Sequence, residues 1–134
     1  MTFDEYLNDN KAILIDVRTP KEFIADKIPN TVNIPVLLDD ERVQVGTTYV
    51  QVSKEKAKEM GVEFISKRLP EIFKQVQELS KIHSTLIFMC ARGGMRSSSI
   101  TSLFESLGYK TAKLQGGYKE YRKYIHETIP TVNK

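Results

Sequence analysis

The chain has 134 residues, of which 40% are hydrophobic and 28% are charged, and its formal net charge is +3. This size and balance predict one soluble domain over residues 1–134, and so small a positive charge does not by itself indicate a nucleic-acid partner. The longest apolar runs have the length of strands, so no membrane span is expected, and the acidic, polar N-terminus is unlike a secretory signal. A single cysteine excludes an internal disulfide and predicts a reducing, cytoplasmic setting.

Strand and helix patterns alternate along the whole chain. In chain order they predict a short helix from Thr2, a strand at 12–17, a helix at 21–27, a strand at 31–35, helical segments within 39–82 broken near Gly46-Thr47 and Gly61, a strand at 85–90, a helix from about 96 to 107, a strand at 111–115, and a last helix after Gly116-Gly117. The runs 12–17 and 85–90 are continuously apolar, which is typical of strands buried on both faces. The alternation predicts a parallel sheet in an α/β fold.

The only cysteine, Cys90, stands at the carboxyl end of a predicted buried strand, where open parallel sheets form their binding sites. Gly93 and Gly94 permit a tight loop that leads into the next helix. Loop N–H groups and the helix N-terminus favour an anion there, and the guanidinium groups of Arg92 and Arg96 suit oxyanions. These groups should lower the pKa of Cys90 and favour the nucleophilic thiolate. The alternative interpretation is that Cys90 is a small residue of the core.

Three other polar residues accompany this loop in the predicted fold. Asp16 and Arg18 follow the first buried strand and should reach the same sheet edge as Cys90. Asp16 could order the loop, but a buried structural ion pair with Arg18 is the favoured interpretation. Ser97 could contact a bound anion, although satisfying free N–H groups in the first helical turn is the simpler role. Both histidines are remote in sequence from the cysteine, so no metal site and no cofactor are expected.

Three stretches of the chain together resemble a rhodanese domain. The segment 16-DVRTPKEFIADKIPNTVNIP-35 is similar to the N-terminal motif of that family, 114-LQGGYKEY-121 is similar to its C-terminal end, and Cys90 stands between them. The resemblance implies an open sheet of about five mainly parallel strands with helices on both faces. It also implies that Cys90 carries a transferable sulfur as a persulfide, taken from thiosulfate or from another persulfide.

Finer features narrow the resemblance to the rhodanese domains of bacterial tRNA 2-selenouridine synthases, which use selenophosphate to replace sulfur with selenium on wobble 2-thiouridine. The features are ARGGMRS after the cysteine and 41-ERVQVGTTYVQ-51 upstream. Cys90 to Arg96 spans seven residues, one more than a typical rhodanese loop, which suits a donor shaped like phosphate. The resemblance implies that the loop residues bind this donor: Ala91, Arg92, Gly93, Gly94, Met95 and Arg96. It sets Thr47 and Tyr49 at the mouth of the site.

The same resemblance implies tRNA and a P-loop domain as partners, and this chain carries no GxxxxGK[ST] motif of its own. It departs from the pattern at Ala91, where an aromatic residue is common, and at Asp26-Lys27, where many rhodaneses have Gly-His. The lysines at 54, 56, 58, 67, 74 and 81 are most simply solvated, with a tRNA-binding surface as the alternative.

Two other functions stay open on the sequence alone. Cdc25-type phosphatases and arsenate reductases share the seven-residue spacing between cysteine and arginine. A phosphatase needs a general acid, and no residue between Cys90 and Arg96 is acidic. A non-enzymatic binding module is the third possibility, and the intact cysteine argues against it.

Overall fold

The computed structural model describes residues 1–91 and 95–128. The strands are β1 (Ala12–Asp16), β2 (Val32–Asn33), β3 (Thr85–Met89) and β4 (Thr111–Lys113). The helices are α1 (Phe3–Leu7), α2 (Pro20–Ala25), α3 (Asp39–Gln51), α4 (Lys54–Ser80), α5 (Met95–Ser106) and α6 (Gly117–Thr128). The strands form one parallel sheet in the order β2-β1-β3-β4, which confirms the predicted α/β class.

The sheet has four strands within the described residues, so the expected count of about five is too high. The four strands coincide with the four runs that the sequence pattern marked. The long stretch between β2 and β3 adds no strand, because α3 and α4 take up residues 39–51 and 54–80.

Side chains of the central strands alternate between two cores, one on each face of the sheet. Ile15 and Phe88 point into the core that α4 and α5 cover, while Leu14 and Ile87 point into the core that α1 and α6 cover. All four side chains are 0% exposed. Burial on both faces explains why β1 and β3 are continuously apolar rather than alternating, and it fixes their carboxyl ends side by side.

The two helix breaks predicted at glycines are wrong. Helix α3 runs through Gly46 and α4 runs through Gly61, and the chain breaks instead after Gln51. There the Ser53 hydroxyl accepts a hydrogen bond of 3.1 Å from the Lys56 N–H and starts α4. A single glycine inside a helix costs only about 1 kcal/mol relative to alanine, so the packing of the flanking turns overrides it.

Capping boxes begin the two short helices that precede and follow β1. Thr2 and Glu5 exchange hydrogen bonds of 3.1 and 2.9 Å at the start of α1, as the sequence predicts. Thr19 and Glu22 do the same at the start of α2, with Pro20 in its first turn. Along the described parts of the chain, no helix combines the length and the apolar character needed to cross a bilayer.

Candidate active site

The cysteine lies where parallel strands end at the centre of the sheet. Asp16 pairs with Met89 in the register of β1 and β3, so Cys90 directly follows the strand that neighbours Asp16. Cys90 is 2% exposed and packs at the edge of the core beneath α5. Its Sγ lies 3.1 Å from the Ser97 hydroxyl, which is itself fully buried. The structure thus joins the thiol to the first turns of α5, as the order strand, loop, helix requires.

Helix α6 holds the first residues of the loop. The N–H of Tyr118 donates to the Cys90 carbonyl and the N–H of Lys119 donates to the Ala91 carbonyl, both at 2.9 Å. The turn before α6 needs Gly116, which has φ +74° and would place a Cβ only 2.6 Å from Glu120 Cβ. Sequence reasoning found this turn but missed its contact with the loop, because hydrogen bonds between backbone groups leave no mark in residue types.

The middle of the predicted loop, Arg92, Gly93 and Gly94, lies outside the described residues, and so does the side chain of Met95. Helix α5 begins at Met95, one residue before the predicted start. The N-terminus of α5 therefore directly follows the predicted loop. A helix N-terminus carries a partial positive charge and attracts anions.

The Arg96 guanidinium forms an ion pair with a residue that sequence reasoning did not select, Glu22 of α2. Nη1 lies 2.8 Å from Oε1 and Nη2 lies 3.5 Å from Oε2. Arg42 approaches Oε1 from α3 at 3.6 Å. Glu22 lies in the segment 16–35 that resembles the rhodanese motif, but neither that motif nor the capping box with Thr19 indicated a contact with Arg96.

Several opposing influences act on the pKa of Glu22. Burial alone would raise the pKa of this carboxyl. Hydrogen bonds from Arg96 and from the Thr19 N–H, together with the charges of Arg96 and Arg42, outweigh burial and lower the pKa to about 2. Glu22 is therefore a carboxylate throughout the physiological range.

Asp16 and Arg18 form a buried ion pair on the β1 side of the site. The Arg18 Nη2 lies 2.8 Å from Asp16 Oδ2 and also donates to the Asp26 carbonyl at 2.7 Å. The guanidinium carbon is 4.1 Å from the ring centre of Tyr118. The pKa of Tyr118 is raised to about 12, mainly by burial and to a smaller extent by a hydrogen bond to the Asp26 carboxylate. These contacts tie β1 to α6 and agree with a structural pair.

An open groove of about 700 Å³ lies between α3 and the Arg96 side chain. Residues that line it include Arg42, Val43, Thr47, Val50, Gln51 and Arg96. Thr47 and Arg96 thus border the same groove, and a role of Thr47 in contact with substrate stays a prediction. Tyr49 is not among the groove residues; its ring is half exposed and lies 5.7 Å from the Lys54 ammonium. In residues 1–91 and 95–128, no three His, Cys, Asp or Glu side chains cluster as metal ligands would.

A parallel α/β sheet whose single cysteine follows a central strand and precedes a helix is the arrangement expected of a rhodanese domain. The sequence profile of the rhodanese-like domain matches residues 2–124. The chain therefore belongs to the rhodanese-like domain family.

Individual relatives narrow the comparison. The tRNA 2-selenouridine synthase of Nitrosomonas europaea is 38% identical over 117 residues, which cover 87% of this chain and 30% of that protein. The chain thus spans about a third of the length of the curated relatives it matches. Among solved structures, one similar protein is the N-terminal domain of a Clostridium difficile 630 protein that is provisionally described as ATP/GTP binding. It is 38% identical to this chain, with a TM-score of 0.89, and the match covers 93% of this chain and 97% of that one. A rhodanese-related protein from Thermoplasma volcanium shares the fold, with a TM-score of 0.56 and 19% identity over 92% of this chain and 90% of that one.

Proposed function

We propose that the chain transfers sulfur or selenium through Cys90. The observation that carries this proposal is the position of Cys90, which directly follows β3 and whose Sγ lies 3.1 Å from the hydroxyl of Ser97 in the first turn of α5. A hydroxyl donor and a helix N-terminus both stabilise negative charge on sulfur. They serve a thiolate before the reaction and a persulfide anion after it.

Thiosulfate illustrates the reaction. The Cys90 thiolate attacks the outer sulfur of the donor, the S–S bond of the donor breaks, and its electron pair leaves with sulfite. Cys90 is then a persulfide anion. A thiolate acceptor attacks the terminal sulfur, and the Cys90 thiolate returns as the leaving group.

We further propose that the chain acts as the rhodanese part of a tRNA 2-selenouridine synthase, with selenophosphate as donor and wobble 2-thiouridine of tRNA as acceptor. The curated relatives support this assignment by name and by 38% identity. The chain matches 30% of their length, so the proposal includes a P-loop domain as partner. A cytoplasmic setting stays a prediction.

The tRNA contact need not lie along α4. Two lysines of α4 and Lys81, which directly follows it, form ion pairs with acids one turn away: Lys56 with Glu59, Lys58 with Glu55, and Lys81 with Glu78. These pairs are largely exposed and agree with a solvated helix face. The proposal therefore assigns recognition of tRNA to the P-loop partner together with the surface around the loop.

A phosphatase is less well supported than transfer. It needs a general acid to protonate the leaving alcohol. Glu22 is the carboxyl group in contact with Arg96, and its pKa of about 2 leaves it without a proton at neutral pH. A group so readily ionised is a poor acid for this step.

Steady-state transfer from thiosulfate to a small thiol tests the proposal for Cys90. We expect sulfite release by the wild type, and release at the uncatalysed rate by Cys90→Ser and Cys90→Ala, each shown to be folded by circular dichroism. Turnover that survives in both variants would overturn the role of Cys90.

Selenium incorporation tests the tRNA assignment separately. The chain is combined with the P-loop domain of a relative, selenophosphate and a tRNA that carries 2-thiouridine. Mass spectrometry of the digested tRNA should then detect 2-selenouridine. Failure of this chain, when the relative's own rhodanese domain succeeds under the same conditions, would contradict the assignment.

A further inference from the structure

The contact between Glu22 and Arg96 raises a question about anion binding. Both terminal nitrogens of the guanidinium face the Glu22 carboxylate, at 2.8 and 3.5 Å. Those nitrogens form the fork with which arginine normally grips an oxyanion. A carboxylate of the protein thus occupies the position that a bound anion would use on Arg96.

Glu22 is held in this position from its own helix. Its Oε1 accepts a hydrogen bond of 3.0 Å from the Thr19 N–H, the reciprocal bond of the capping box. Its side chain is only 20% exposed. Arg42 is the second cation near this carboxylate, at 3.6 Å, and both arginines line the same groove. The carboxylate is therefore a fixed negative charge beside two cations that border the groove.

We propose that Glu22 is a positioning residue that acts as an internal counter-anion: it limits the affinity of Arg96 for oxyanions and so sets the affinity of the site for its anionic donor and eases release of the oxyanion product. The inference rests on the proposed function of Cys90, since it concerns the donor of that reaction. An anion that uses the terminal nitrogens of Arg96 must displace Glu22. An anion that uses the Nε edge shares the guanidinium with a fixed negative charge. Glu22 opposes binding in both cases.

The need to release the oxyanion product explains why a carboxylate beside Arg96 would be useful. Transfer from thiosulfate leaves sulfite, a charged oxyanion, in the place where the donor was bound. A loop that held oxyanions with the full strength of its cations would also hold the product and other oxyanions without a transferable atom. A built-in carboxylate lowers the affinity for all of them while keeping Arg96 oriented.

The chain contains a matched control for this pair. Glu41 on α3 forms an ion pair of 2.8 Å with Arg68 of α4, and the two side chains are 13% and 18% exposed. Its Oε1 also accepts a backbone N–H at the start of its helix, from Leu38 at 2.8 Å. The two pairs thus share geometry and burial. Arg68, unlike Arg96, also donates to the Val36 carbonyl at 3.0 Å and binds the scaffold.

The test compares Glu22→Gln with Glu41→Gln, using inorganic phosphate as probe and isothermal titration calorimetry as readout. Glutamine keeps a carbonyl for the capping box and removes the charge. We expect Glu22→Gln to bind phosphate about three- to tenfold more tightly than the wild type, the size expected for removing a like charge several ångströms away near a protein surface. The gain should shrink at high salt. Glu41→Gln should leave phosphate affinity unchanged.

Glu22→Gln in an Arg96→Ala background, compared with Arg96→Ala alone, completes the cycle. The gain should be smaller there, because Glu22 no longer competes with the anion for a guanidinium. In thiosulfate turnover, Glu22→Gln should lower KM without raising kcat, whereas a merely structural role predicts a loss in both. Phosphate binding that is unchanged or weaker in Glu22→Gln, or absent in every form, would overturn the proposal. If Glu22→Gln binds phosphate more tightly but Cys90 transfers no sulfur, the proposed function is overturned, and only the effect of Glu22 on anion binding stands.

Discussion

Arg18 and Arg96 each follow a central strand at the carboxyl edge of the sheet, and the fold holds them in opposite ways. Arg18 is 4% exposed and has Asp16, the Asp26 carbonyl and the Tyr118 ring around it. Arg96 has its side chain 18% exposed, pairs with Glu22, and lines an open groove. A guanidinium enclosed on all sides by protein stabilises the fold, while one that borders a groove can also meet a ligand. We therefore expect substitutions at Arg18 and its partners mainly to lower stability, and substitutions at Arg96 mainly to lower activity.

The largest effect is expected on the Arg18 side. Asp16→Ala leaves the Arg18 charge buried without its carboxylate, and we expect the free energy of unfolding to fall by about 3–5 kcal/mol. Urea denaturation followed by circular dichroism measures this loss. Glu55→Ala, which removes one acid of an exposed ion pair with Lys58, should change stability by about 0.5 kcal/mol or less. Equal losses of stability in Asp16→Ala and Glu55→Ala would contradict the claim that the buried Arg18 pair stabilises the fold.

A smaller effect on stability and a larger effect on activity are expected on the Arg96 side. Arg96→Lys keeps the charge and removes the planar fork. We expect kcat/KM for thiosulfate to fall by about 10- to 100-fold, the equivalent of one charge-assisted hydrogen bond. The free energy of unfolding should change by about 1 kcal/mol or less. Arg18→Lys should show the reverse order, with the greater loss in stability, and similar losses in both variants would contradict the distinction.

A third prediction, also on the Arg96 side, concerns acid stability through Glu22. Its pKa is about 2 in the folded protein, below the ordinary value of 4.5. The unfolded chain therefore takes up a proton first as pH falls, so the stabilisation from Glu22 is fully present above pH 4.5 and is lost as pH falls towards 2. The difference in unfolding free energy between wild type and Glu22→Gln should shrink over that window. A difference independent of pH would show that Glu22 stabilises the fold without its charge.

Much of the fold followed from the sequence because burial on both faces leaves a strong pattern. The continuous apolar runs before Asp16 and Cys90 fixed the two central strands, and the alternation with helices fixed their parallel direction. The positions of helix breaks did not follow. Gly46 and Gly61 are weak breakers whose small cost is outweighed by packing that no local pattern reveals.

The candidate site was likewise predictable only in part. A cysteine that directly follows a buried strand must lie at the sheet edge, so the placement of Cys90 beside Asp16 was predictable. The partner of Arg96 was not, since Glu22 lies 74 residues away along the chain and nothing in its local pattern points to Arg96. Long-range ion pairs depend on how helices pack around the sheet, and single-sequence reasoning has no measure of that packing.

The most direct test of the account is the intact mass of the folded protein after incubation with thiosulfate. The account predicts that the wild type gains one sulfur atom as sulfite is released, that fragmentation places the added atom on Cys90, and that Cys90→Ser gains nothing. A folded wild-type protein that remains without an adduct, or an adduct that persists in Cys90→Ser, would contradict the claim that Cys90 carries the transferred atom.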